Sequence, residues 1–224
     1  MAAPGAGRNP VAAASVVDLA HPPRQAGLIR AKLPEGTPMY PLLRFVKEMI
    51  KFRNAPRLGP LEAHVSTHIC WPWDLDPWIE LNNGRTLTLY DLGRIPMAQR
   101  VGLVPILRQR GWGITVAGNS TRYRRRIRMF DRFSMVSRMV GWDHRFFYME
   151  QSMWRRGECC NQMLLRSAVT SPAGIVDPGQ VLAALGHSPD SPALPGWVAA
   201  WIEADAQRTW PPELPLEAKA LLSA

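Results

Sequence analysis

Cysteine is scarce in this 224-residue chain: Cys70, Cys159 and Cys160 are the whole set, and two of them are adjacent. An odd count with neighbouring members excludes the paired-disulfide framework of small secreted domains and points to a reducing, cytoplasmic setting. Metal-ligand spacing is missing as well. His64 and His68 are four apart, but in a strand that spacing does not by itself converge on one zinc vertex, and nothing in the pattern asks for a metal or an organic cofactor. No window approaches the ~20 apolar residues of a bilayer-spanning helix, and the first twenty residues lack the basic start and apolar core of a secretory leader; a soluble protein is expected. There is no internal repeat. Acidic residues are outnumbered, 18 against 27 Lys and Arg, for a net charge of +9. Such a chain attracts polyanions in general, and charge alone does not choose among nucleic acid, a membrane surface and a small phosphorylated ligand.

What is present fits a folded domain. Hydrophobic residues make up 46% and charged residues 20%, near the globular averages, and the length suits one core with two appendages. Residues 1–37, rich in Ala, Gly and Pro, read as a loosely ordered arm. Residues 38–55 read as a basic amphipathic helix: Leu42, Leu43, Val46, Met49 and Ile50 recur at near-helical spacing with Arg44, Lys47, Lys51 and Arg53 between them. Its apolar stripe is expected to pack on the core or on a partner subunit; weak association with an anionic membrane through residues 39–53 is the second use. Residues 56–172 form the main domain. Alternation from Leu61 to Trp71 predicts a strand, and the period from Gly84 to Val101 predicts a helix, kinked or broken near Gly93 to Ile95 by Pro96. Strands are then predicted at Trp112–Val116, Ser120–Met129, Phe133–Val140, Phe146–Trp154 and Asn161–Thr170, joined by short spacers and therefore antiparallel. Residues 173–224 read as a helical extension, with Asp177-Pro178 opening one short helix and a second, roughly Pro195 to Arg208, setting Trp197 with Trp201 and Val198 with Ile202. One long helix inserted into such a sheet is an α+β layout.

The chemistry concentrates in Trp71-Pro-Trp-Asp-Leu-Asp-Pro-Trp-Ile-Glu-Leu-Asn-Asn-Gly-Arg85. Asp74 and Asp76 fall where a strand should end. Asn82 or Asn83 can cap the following helix, because an Asn side chain accepts from the free amides of a first helical turn. Those amides and the helix dipole polarise a carbonyl, while a carboxylate beside them attacks it or activates water. That layout suits acyl chemistry. The segment also resembles the signature of hotdog-fold acyl-CoA thioesterases, in the branch of the 4-hydroxybenzoyl-CoA and long-chain acyl-CoA thioesterases. The family pattern reads Asp-x-Asp-x-x-x-His-x-Asn-Asn; Asp74, Asp76, Asn82 and Asn83 match it, and Glu80 stands at the His position. Gly84-Arg-Thr-Leu-Thr-Leu-Tyr-Asp-Leu-Gly-Arg94 is similar to the central helix of this branch.

The resemblance implies a curved antiparallel sheet of five or six strands wrapped around a long central helix, and a dimer or tetramer that hydrolyses an acyl-CoA. It assigns Asp76 as nucleophile or general base, a role an ordinary aspartate with a pKa of ~3.9 fills in its ionised form; the alternative is an Asp that caps its loop. The Asn83 amide would polarise the carbonyl. Asp74 is expected to bond loop amides or an arginine. Glu80 can only accept hydrogen bonds where His could donate, so it needs a compensating arginine such as Arg85 or Arg94. Asn82, Arg85, Leu87, Tyr90 and Asp91 are the further candidates for contact with substrate, Asp91 otherwise pairing with Arg94 three residues on. Read as a strand, Arg122 to Met129 sets Arg122, Arg124, Arg126 and Arg128 on one face. Arg124 and Arg126 are the candidates for coenzyme A phosphates, and nucleic acid is not the expected partner. The alternative to a hydrolase is a non-catalytic module that binds acyl-CoA or an acyl-carrier protein.

Overall fold

The structure is a computed structural model that describes residues 40–215; the arm expected at 1–37 lies outside them. Six strands form one antiparallel sheet: β1 (His64–Ile69), β2 (Gly113–Tyr123), β3 (Arg132–Trp142), β4 (Phe147–Arg155), β5 (Glu158–Ser171) and β6 (Gly174–Val176). Their order is β1-β3-β4-β5-β2, with β6 added to the end of β5. Arg156 and Gly157, both at positive φ, make the tight turn from β4 to β5, the two-residue geometry whose twist matches that of the flanking strands.

Helix α1 (Leu42–Lys51) precedes the sheet, and α2 (Asn83–Val101) and the short α3 (Leu103–Arg110) lie between β1 and β2. The buried side of α2 brings Leu89, Tyr90, Leu92 and Met97 against Met135 of β3, Met149 and Met153 of β4 and Met163 and Leu165 of β5. Each such side chain, fully buried, contributes about 1.5–3 kcal/mol, and methionine adapts to the curved surface of a sheet folded over a helix. Gly93 sits where α2 comes closest to β3: a Cβ there would lie 2.6 Å from both Met135 Sδ and Ser137 Oγ. This is the α+β hotdog layout expected from the sequence.

Several local expectations are corrected. Helix α2 runs unbroken through Pro96, because the ring's fixed φ is itself helical and the buried contact made by Pro96 offsets one missing backbone hydrogen bond. Gly102, at φ +89, ends α2 and opens α3, a helix absent from the expectation; Pro105 falls in its first turn, where no donor is needed. The strands expected at Trp112–Val116 and from Ser120 onward are one strand, β2, with a bulge between Val116 and Gly118. The arginine run does not continue it. After Tyr123 the amides of Arg124 and Arg125 both donate to the Cys160 carbonyl, at 2.8 and 3.0 Å, and the chain leaves the sheet. Most of the apolar stripe of α1 does not pack on the core: Leu42, Leu43, Val46 and Ile50 are exposed and Met49 is partly buried, while Phe45 packs on the core cluster and Glu48 is fully buried.

The described residues fall in two compact units that divide between Pro195 and Gly196. Helix α4 (Pro178–Ala184) belongs to the first, with Asp177 as its N-cap accepting from the Gly179 amide at 2.7 Å. In the same unit the Trp142 indole donates to the Pro189 carbonyl, holding the segment after α4 against β3. The described part of the second unit holds α5 (Gly196–Ala206), in which Val198 is buried and Trp197 half exposed. Among the described residues no helix is long and apolar enough to cross a membrane.

Candidate active site

Between β1 and α2 the chain folds into a tight loop. Pro72–Asp74 form one turn of 3-10 helix that drops Asp74 into the interior with no exposed surface. Its carboxylate accepts from Arg44 Nη1 at 2.6 Å, Arg85 Nε at 2.7 Å and the Trp71 amide at 3.0 Å, and its carbonyl accepts from the Asn82 amide. Both oxygens of this buried carboxylate are thus engaged, Oδ1 by Arg85 and Oδ2 by Arg44 and the Trp71 amide. Asp74 is therefore the post to which α1, the loop and the start of α2 are tied.

Leu75 and Leu81 bridge, closing the loop Asp76 to Glu80. Asp76 is half-buried, and its Oδ1 accepts from the Trp78 and Glu80 amides at 2.9 and 3.3 Å, the turn-holding arrangement of an Asp in a loop. Oδ2 has no partner among the described residues. Ile79 stands at φ +59, in the left-handed region, with its side chain exposed. Glu80 pairs with Arg126 Nε at 2.9 Å, so the compensating arginine is neither Arg85 nor Arg94. Arg85 serves Asp74, and Arg94 pairs with Asp91.

Asn82 is the N-cap of α2: its Oδ1 accepts from the Arg85 amide at 3.0 Å, and its carbonyl from the Thr86 amide at 2.8 Å. Asn83 and Gly84 occupy the next two positions, whose amides have no acceptor within the helix. Asn83 borders a cavity of about 200 Å³ with Glu80, Thr86, Tyr123, Arg124 and Arg126 on its walls. The arginines reach it because residues 124–128 cross in front of the helix start instead of extending β2. The Leu81 amide donates to the Ile127 carbonyl at 2.9 Å, Glu80 bridges Arg128, and Ile127 is buried. Free amides, a helix dipole and at least two guanidinium groups make this a positive, anion-accepting mouth. Asp76 is not among the residues that line it; Glu80 is.

A second cavity, about 360 Å³ and largely apolar, lies between α2, α3 and the sheet, with Ile95, Val101, Leu107, Trp142, Phe147 and Leu165 among its walls. Asp91 and Arg94 border it as a half-buried ion pair. Burial raises the Asp91 carboxyl against the opposing pull of Arg94, and the Tyr40 hydroxyl hydrogen-bonds to it. Burial, with Asp91 next, pushes Tyr40 up to about 12. Leu87 and Tyr90 are core rather than lining: Leu87 packs on the main cluster, and the fully buried Tyr90 donates to Asn161 Oδ1. Burial raises the Tyr90 pKa. Arg44, Tyr40, Tyr123 and Asn161 were not foreseen. Arg44 looked like one more cation of an amphipathic stripe, and no local pattern marks the others.

A sheet curled over a long helix whose capped start opens on a positive cavity defines a hotdog-fold protein. A sequence profile of the thioesterase-like superfamily matches residues 70–202, and the chain belongs to that superfamily. The chain is similar to Protein THEM6 of Xenopus laevis, 35% identical over 91 residues that make up 41% of this chain and 44% of the relative. It is also similar to Protein THEM6 of Danio rerio, 29% identical over 111 residues, 46% of this chain and 54% of the relative. The chain thus spans about half the length of these curated relatives. Among solved structures it is similar to the YbaW probable thioesterase from Escherichia coli, with a TM-score of 0.52 and 14% identity over 55% of this chain and 96% of that one. A hypothetical protein from Thermus thermophilus gives 0.50 and 14% over 56% and 96%. These structural likenesses carry the fold.

Proposed function

We propose that the chain hydrolyses the thioester of an acyl-CoA to the free acid and coenzyme A. The observation that carries the reading is the capped start of α2, whose first residue Asn83 borders a cavity walled by arginines and whose amide has no acceptor within the helix. An amide there stabilises the oxyanion formed as the thioester carbonyl is attacked. Asp76, with Oδ1 fixed by two loop amides and Oδ2 uncommitted, is the nucleophile or the base that activates water. Arg124 and Arg126 take phosphates of the carrier, and the apolar cavity beside α2 takes the acyl chain. The working protein is a homo-oligomer, for which β2 offers an unpaired edge with Ile114 and Val116 exposed, and the three free cysteines suit the reducing cytoplasm.

The test is a panel of acyl-CoAs read with a thiol reagent. Turnover by the wild type that Asp76→Asn lowers by about 10²–10⁴, with acyl-CoA binding kept, supports the hydrolase. The alternative is a non-catalytic module for acyl-CoA or an acyl-carrier protein. It is favoured by one observation, that Asp76 does not line the cavity that Asn83 borders; saturable binding with no thiol release by the wild type would establish it.

A further inference from the structure

Helix α1 packs on the core through Phe45 and leaves most of its aliphatic surface outside. Successive side chains step by about 100° around a helix, which puts Leu42, Leu43, Val46 and Ile50 on one stripe roughly 100° wide. All four are between 45% and 87% exposed. Turned inward instead is Glu48, fully buried. Among the described residues neither carboxylate oxygen has a hydrogen-bond partner, and only Lys47 Nζ stands close, 3.0 Å from Oε1. Water disfavours an open aliphatic stripe, and burial disfavours the charge behind it. That orientation fits a helix whose apolar stripe is covered from outside.

The edges of the stripe say what kind of cover fits. Lys47, Lys51 and Arg53 are exposed beside it. A second apolar group continues from its first turn, because the Arg44–Asp74 ion pair ties α1 to the loop that carries Trp71 and Trp73. Trp71 stacks on Trp73 at 5.3 Å and meets Phe130 edge-on at 6.1 Å; Trp73, Phe130, Trp78 and Ile79 are all exposed. Aliphatic stripe, flanking lysines and clustered indoles are the three elements that hold a helix in the plane of a lipid headgroup layer. A second copy of this chain would set Lys47 and Lys51 against cations of the same sign, whereas acidic headgroups neutralise them. We propose that α1 and the Trp71–Trp73 loop form a docking face for a membrane surface containing anionic lipids, with α1 lying in the interface plane.

The experiment is co-sedimentation of the full chain with phosphatidylcholine vesicles and with vesicles that also contain phosphatidylserine. Binding is expected on the mixed vesicles and much less on the neutral ones. Leu43→Glu/Ile50→Glu should lower it by more than about tenfold, and Lys51→Glu/Arg53→Glu by about tenfold on the mixed vesicles. The melting temperature serves as the folding control, since all four side chains are exposed. The proposal is overturned if the wild type sediments with neither vesicle, or if Leu43→Glu/Ile50→Glu binds as the wild type does. It is equally overturned if that variant halves the mass seen by light scattering while vesicle binding persists, which would make the face a contact between copies.

Discussion

Replacing Asp74 by Asn tests the tie that sets the whole candidate site. The carboxylate has no exposed surface and receives two charged bonds, from Arg44 at 2.6 Å and Arg85 at 2.7 Å, whose side chains are themselves largely buried. Removing one member of a buried pair costs about 3–5 kcal/mol, since the remaining charge loses its partner in a poorly solvated place. Asn keeps one acceptor oxygen for the Trp71 amide, and both arginines retain an edge reached by water, so the lower end, about 3 kcal/mol, is expected. For a chain of this size that lowers Tm by roughly 6–12 °C. Differential scanning calorimetry gives the number, and Glu80→Gln is the internal reference. It breaks an ion pair whose arginine is 70% exposed, worth at most about 1 kcal/mol. The Arg44→Met background should shrink the effect of Asp74→Asn, because the two share one interaction. If Asp74→Asn moves Tm no further than Glu80→Gln does, the account of Asp74 as the post of this loop is wrong.

Gly93→Ala should destabilise the protein by about 1–3 kcal/mol, seen as a lower denaturation midpoint, since the added methyl meets Met135 and Ser137 at 2.6 Å. Acid should weaken the fold before carboxylates titrate. Burial, with Arg100 beside His64 and Arg44 near His68, lowers these imidazoles to about 4 and about 3, against ~6.5 in the unfolded chain. The unfolded state therefore binds more protons below pH ~6.5, and stability present above that pH is lost as the pH falls toward 4. Urea midpoints at neutral and mildly acidic pH check this, and equal midpoints count against it. Arg124→Ala and Arg126→Ala should raise KM for acyl-CoA while leaving kcat nearly unchanged; a fall in kcat alone would remove the phosphate role.

The fold was legible where periodicity and turn residues agree. The α2 pattern, its Asn82 cap and the short spacers between β3, β4 and β5 each state a local rule that the tertiary structure keeps. The α1 stripe shows what periodicity omits: spacing reveals that Leu43 and Ile50 share a face with each other, not which way that face points. Arg122 to Met129 alternates as a strand does, yet the Cys160 carbonyl takes two amides at once and diverts the chain, a contact between residues more than thirty positions apart. The same distance hid Arg44, thirty residues before its partner Asp74. Asp76 was visible as a residue type in a motif, while the direction of its oxygens depends on the Trp78 and Glu80 amides, which only the folded loop brings round.

Ile79 gives that loop a mechanical character. A β-branched residue in the left-handed region stores about 1–3 kcal/mol that an asparagine or glycine would release, and its exposed side chain recovers little of this by packing. The bend is imposed from its two ends, by the Leu75–Leu81 bridge and the Asp76–Glu80 amide contacts, much as a bowstring holds a bow. A relaxed residue at this position would lift that cost from the folded loop, while the carboxylate of Asp76 would still be held by the Trp78 and Glu80 amides.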